Sequence, residues 1–163
     1  MTITDIETLL PFGRTRSWIV REGGPDVTEA EVCLLAVTDL LADLDTRAAR
    51  VGVLWSSSSS GSDAYARVLE RLGHPRKRVI AAAGPLSGAN ADAALISTRF
   101  AFTGPSVSVF GPWTEHHDWL AHHYVDSGRA DVMVVGFCVA RDDRVVAGVT
   151  GVVGHGREGV AGD

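Results

Sequence analysis

The chain is poor in cysteine. Its 163 residues hold two, Cys33 and Cys138. Both sit in apolar runs, which excludes a disulfide framework and reads as two buried thiols of a cytoplasmic protein. Basic residues are also few. Fifteen Lys+Arg against twenty Asp+Glu leave a net charge of −5. They are spread thinly and draw no basic face, which argues against nucleic acid as a partner. No apolar run approaches the ~18 residues that span a bilayer, so no membrane association is expected. Met1-Thr2-Ile3-Thr4-Asp5 lacks the basic start of a secretory signal. Neither His-x-x-x-His nor His-Glu-x-x-His occurs, and no glycine-rich fingerprint follows a strand, so no metal and no cofactor are expected. What is present is 45% apolar and 21% charged, the balance of a soluble globular protein long enough to bury a core.

The residue pattern then sets the elements. The first 27 residues carry weak alternation over Met1 to Leu10, and Gly13, Gly23, Gly24 and Pro25 mark loop. Thr28-x-x-Glu31 is a capping box. Cys33, Leu34, Val37, Leu40, Leu41 and Leu44 follow at helical spacing, which predicts a helix over 29–45. Val51 to Trp55 reads as a buried strand and Ser56 to Gly61 as a loop. A helix carrying Tyr65, Val68, Leu69 and Leu72 comes next, closed by Gly73. A small-residue helix spans 91–102. Ser106 to Phe110 alternates as a strand, and Thr114 starts a helix over 115–127. Asp131 to Val139 and Arg144 to Val153 read as strands forming a terminal hairpin. Alternating strands and helices predict an α/β fold, a mostly parallel mixed sheet flanked by helices with an antiparallel edge. One domain is expected over 1–153 and a flexible glycine-rich tail over 154–163.

Several stretches resemble the N-terminal half of a β-ketoacyl synthase, a thiolase-fold condensing enzyme. Val51-Gly52-Val53 resembles its glycine-bearing strand, and Asn90-Ala91-Asp92-Ala93-Ala94 its Asn-Ala-Ala helix start. Phe102-Thr103-Gly104-Pro105-Ser106-Val107-Ser108-Val109 is similar to the Gly-Pro-Ser strand entry. Ser127 to Gly136 is similar to the (Ser/Tyr)-Gly-x-Ala-Asp-x-x-Leu-Val-Gly segment. Together they cover roughly residues 28–140. The resemblance implies a thiolase-like half in a polyketide or fatty-acid pathway.

The family places a nucleophilic cysteine at the turn after the Gly-Pro-Ser strand, where a helix N-terminus lowers its pKa. Nine residues on from Gly104 this chain has Trp113, which carries no acyl group, and no choice of gap brings in a cysteine. The two catalytic histidines of the family belong to a second half without a counterpart in this sequence. The resemblance therefore implies a non-condensing subunit that binds an acyl chain, through Pro112, Trp113 and Thr114, or supports a partner synthase. The strand that pairs across the family's two-fold axis is here Ser106, Val107, Ser108, Val109 and Phe110. A homodimer, or a heterodimer with a complete condensing enzyme, is expected, and an acyl carrier protein is a further candidate through Arg76-Lys77-Arg78.

The residues themselves leave an alternative open. Four of six histidines lie in Glu115-His116-His117-Asp118-Trp119-Leu120-Ala121-His122-His123-Tyr124. His116 or His117 with Glu115 or Asp118 would suit acid–base catalysis by a small cyclase, dehydratase or isomerase. The plainer alternative is a capped helix whose histidines face solvent or a partner.

Overall fold

The computed structural model describes residues 18–24, 26–44, 46, 49–57, 90–141 and 144–153. In chain order these form β1 (Ile19–Gly23), α1 (Glu29–Asp43), β2 (Val51–Ser57), α2 (Ala91–Arg99), β3 (Ser106–Phe110), α3 (Glu115–Asp126), β4 (Val132–Arg141) and β5 (Arg144–Val153). The helix expected after Gly61, the basic 76–78 stretch and the tail from 154 lie outside the described residues.

The strands form one mixed sheet in the order β1-β5-β4-β2-β3. β2 runs parallel to both β3 and β4. β4 and β5 make the expected antiparallel hairpin, with Gly136 opposite Val149. β5 is not the edge, however. β1 lies antiparallel against it, Ile19 opposite Val149 and Gly23 opposite Val145. The sequence pattern reads this stretch as loop because Arg21-Glu22 and two glycines break its alternation. Arg144 pairs with Glu22 at 2.8 Å and Arg21 with Asp39 on α1 at 2.5 Å. Both pairs are half-exposed, worth at most about 1 kcal/mol each, but they tie β1 to its neighbours in the right register.

Local chemistry explains each boundary. At the start of α1, Glu31 Oε2 accepts the Thr28 N–H at 2.8 Å, and Thr28 Oγ1 accepts the Glu31 N–H at 3.3 Å. This is the expected box, and the Thr28 backbone bond, with the Thr28 hydroxyl, holds the Glu31 carboxyl below its ordinary pKa. α3 ends as Gly128 takes φ +68, with the Arg129 N–H reaching back to the Tyr124 carbonyl at 2.9 Å. Glycine tolerates that conformation without a Cβ clash. β2 is buried at every position, as a central strand covered on both faces must be.

The motifs separated in sequence meet in space. The Gly104 N–H donates to the Val51 carbonyl at 2.8 Å, and the Val53 N–H to the Pro105 carbonyl at 2.8 Å. A Cβ on Gly104 would sit 2.8 Å from the backbone of Val51 and Gly52, so these chains approach only because the residue is glycine. The Asp131 carboxylate in turn accepts the Arg50 N–H at 2.6 Å, just before β2 and β4 begin to pair.

Side chains alternate across the sheet and divide the core in two. On one face, α1 and α2 cover Val51, Val53, Trp55, Val132, Val134, Cys138, Ala147 and Val149. On the other, α3 lies over Leu54, Met133, Val135 and Val152 through Ala121 and Val125. The turn leading into α3 sits on this second face.

Candidate functional site

β3 ends at Phe110, and the chain turns through Gly111, Pro112, Trp113 and Thr114 into α3. Gly111 has φ +120, a conformation that favours glycine. Two serines from the end of β2 hold it. Ser56 Oγ donates to the Gly111 carbonyl at 2.6 Å, and the Gly111 N–H donates to the Ser57 carbonyl at 3.2 Å. Ser56 and Ser57 are thus buried strand residues rather than the start of a loop. Their polarity misleads because the group that satisfies Ser56 lies 55 residues away.

Trp113 fills the turn and is buried. Its ring stacks on His117 with centroids 4.7 Å apart, and meets Trp18 edge-on at 5.7 Å. Trp18 continues the cluster to Phe137 at 5.6 Å. Such contacts add roughly 0.5–1.5 kcal/mol each to the area they bury. Where the resemblance implies a nucleophile, the chain has an indole packed against two other rings, His117 and Trp18.

Among the described histidines, His117 is the buried one, only 4% exposed. Its Nδ1 lies 2.8 Å from the Thr114 nitrogen, 2.9 Å from the Thr114 hydroxyl and 3.1 Å from the Thr114 carbonyl oxygen, and the ring tautomer sets whether it accepts or donates there. It therefore takes the place that Glu or Gln holds in a capping box, the place Glu31 holds in α1. Its Nε2 is buried and has no hydrogen-bond partner among the described residues. Burial pushes its pKa below the ordinary histidine value. The contact of the ring with the Thr114 backbone carbonyl opposes this, and nearby His116 adds to the lowering.

The other sequence candidates scatter. Glu115 and His116 are exposed, and Asp118 and His122 are half-buried. His123 is exposed and stacks on exposed Trp119 at 5.3 Å. Pro112 and Thr114 are exposed beside Trp113. The structure thus brings together Thr114, Trp113 and His117 and leaves Glu115 and His116 to solvent. Among the described residues no three His, Cys, Asp or Glu side chains gather as a metal would require. Sequence reasoning missed Trp18, Ser56 and the capping role of His117. The last was within reach: Thr114-x-x-His117 has the spacing of Thr28-x-x-Glu31.

Neither cysteine stands at the turn. Cys33 and Cys138 are both buried and unoxidised. A hydrogen bond to Cys138 and burial push the Cys33 thiol well up, so it stays protonated and is not a ready nucleophile. β3 forms the sheet edge opposite β1. Ser106 and Phe110 are exposed there, with Val107, Ser108 and Val109 half-buried between them.

No protein-family model and no curated protein matches the chain. Solved structures do. The ishigamide ketosynthase/chain length factor aligns over 80% of this chain and 44% of its own, with TM-score 0.62 and 19% identity. The fold is that of part of a ketosynthase. The oxazolomycin ketosynthase domain of Streptomyces albus aligns over 78% of this chain and 28% of its own, with TM-score 0.59 and 16% identity. The ketosynthase ApeO in complex with its chain length factor ApeC, from Xenorhabdus doucetiae, gives 74% and 56%, with TM-score 0.57 and 11% identity. The chain therefore spans about half, or less, of the ketosynthase-fold chains it matches. The five-stranded mixed sheet flanked by helices is the thiolase-like architecture that the sequence motifs imply. No described helix is long and apolar enough to cross a membrane.

Proposed function

We propose that this chain is a non-condensing, ketosynthase-like subunit of a polyketide pathway. It binds an acyl chain or supports a partner condensing enzyme as a dimer. The observation that carries the reading is Trp113. The turn that would present a thiol to an acyl thioester is occupied by an indole, packed on His117 and Trp18. An indole forms no acyl intermediate, so nucleophilic catalysis at this turn has no nucleophile.

The partner follows from the edge. Among the described residues β3 is a sheet edge, and its Phe110 is exposed, 71% open. A free edge with an aromatic at its end is a pairing surface. Two of the structural neighbours, by their descriptions, are a ketosynthase/chain length factor and a ketosynthase with its chain length factor. Pairing of β3 with the same strand of a second copy, or of a complete condensing enzyme, is the arrangement proposed here.

Incubation with a short acyl-thioester followed by intact-mass measurement tests the chemistry. The mass is expected to stay unchanged, and an acyl adduct on this chain would overturn the reading. Light scattering tests the assembly. A dimer mass at micromolar concentration, alone or with a condensing enzyme, is expected, and a monomer in both settings removes the partner role.

A further inference from the structure

Cysteine is scarce in this chain, yet its two copies meet. Cys33 stands on α1 and Cys138 on β4, far apart in sequence. Their thiols share a hydrogen bond. Each is 1% exposed, in the apolar core that α1 and α2 cover. One buried thiol is explained by packing, since cysteine behaves as a small apolar side chain. Packing does not require that the two cysteines of the chain touch, one from a helix and one from a strand.

Thiols in contact are a short step from a covalent bond. A disulfide needs the sulfurs ~2.05 Å apart, and α1 packs directly against β4, so small side-chain rotations bring the two sulfurs together. We infer that Cys33 and Cys138 are a redox-sensitive pair, which a low-molecular-weight disulfide such as oxidised glutathione converts into one disulfide clamping α1 to β4. One protein thiolate attacks the small disulfide and expels a small thiolate. The second then attacks the protein sulfur of that mixed disulfide and expels the other. The two protein thiols are oxidised, the small disulfide is reduced, and the two protons pass to the expelled thiolates. Burial sets the rate. The Cys33 thiol keeps its proton in the closed core, so exchange waits for α1 to lift from the sheet. Once made, the bond closes a loop of about 100 residues, which restricts the unfolded chain and stabilises the fold. It is also anchored close to the candidate site. Cys138 lies opposite Ser57 on β2, and the Ser57 carbonyl accepts the Gly111 N–H that holds the turn.

The test brings the full chain to equilibrium in reduced and in oxidised glutathione buffers, then alkylates it under denaturing conditions and measures its mass. In the oxidised buffer the chain is expected to lose the mass of two hydrogens and to take no alkyl group. One cross-linked fragment should carry both Cys33 and Cys138, and dithiothreitol should reverse the change. The denaturant midpoint is expected to rise on oxidation. By the same linkage, the folded chain should hold the bond against reduced glutathione at least about ten-fold better than the unfolded chain does. Two alkylated cysteines at equilibrium, a glutathione adduct without the cross-link, a bond between two chains, or a midpoint that falls on oxidation would each overturn the inference. Cys33→Ala and Cys138→Ala are expected to lose both the cross-link and the midpoint shift. A shift that persists in either variant would show that the pair is not its source, and the clamp falls. If a variant does not fold, the wild-type masses and midpoints decide alone.

Discussion

The two faces of the sheet share the same strands and differ in how they are closed. Under α1 and α2, Trp55 lies over Gly136, whose Cβ would come within 2.1 Å of its ring. Under α3, Phe137 lies over Gly148, whose Cβ would come within 2.4 Å. Each face thus uses one aromatic over one glycine on the adjoining strand. On the first face the aromatic is sealed by two helices. On the second its neighbour Trp18 is only half-buried, and Leu120 and Tyr124 are half-exposed as well. The caps differ in the same sense. α1 begins on a carboxylate and α3 on an imidazole. The first face also has half-buried members, Leu34, Phe100 and Phe102 among them; the second carries the turn at Trp113 and is open at Trp18.

The sharpest way to break that comparison is to overfill each face equally. Gly136→Ala is expected to cost about 3 kcal/mol, because Trp55 has nowhere to go, and Gly148→Ala about 1–2 kcal/mol, because Trp18 yields to Phe137. Denaturant midpoints measure both, and equal losses would mean that the faces are equally rigid. Removal of the caps comes next. Thr28→Ala and Thr114→Ala should each cost about 1 kcal/mol, read from the same curves.

Acidity should then separate the two caps. His117 has a lowered pKa in the fold. The unfolded chain therefore takes up its proton first as pH falls, and the stability due to neutral His117 is complete above the ordinary histidine value and lost below it. Glu31 is lowered too, and its contribution is lost only in the carboxylate range. Stability should decline in two stages, and His117→Phe should abolish the upper one while Glu31→Gln abolishes the lower. An upper stage that survives His117→Phe would assign it to another histidine. The smallest effect is at the surface of α3. Trp119 is 66% exposed, so Trp119→Ser should change stability by no more than about 0.5 kcal/mol. A larger loss in the isolated chain would show that the open face is more tightly packed than its exposure implies.

How legible this was depends on how local each interaction is. α1, α2, α3 and the β4–β5 hairpin are written in short-range signals: a capping box, helical spacing, two apolar runs. β1 is not, since its only reason to be a strand is β5, far along the chain. Ser56 looks like loop until Gly111 appears beside it. The glycines of Val51-Gly52-Val53 and Thr103-Gly104-Pro105 were visible as motifs, but their reason, the crossing of two backbones, is visible only in space. The site was legible as a missing cysteine and a cluster of histidines. Which histidine turns inward was signalled only by the spacing Thr114-x-x-His117, since the known cap signature names Glu and Gln at that position.

The place of β1 also imposes an order on assembly. It is the first described strand to be made, yet its partner β5 is the last. Until Val145 to Val149 exist, Ile19 to Gly23 have nothing to pair with in this sheet. The pairing of β1 is the most distant in sequence of any in the sheet, and contacts of that kind slow folding. In the finished sheet the pair of Arg21 with Asp39 joins the strand to α1, and the pair of Glu22 with Arg144 joins it to β5.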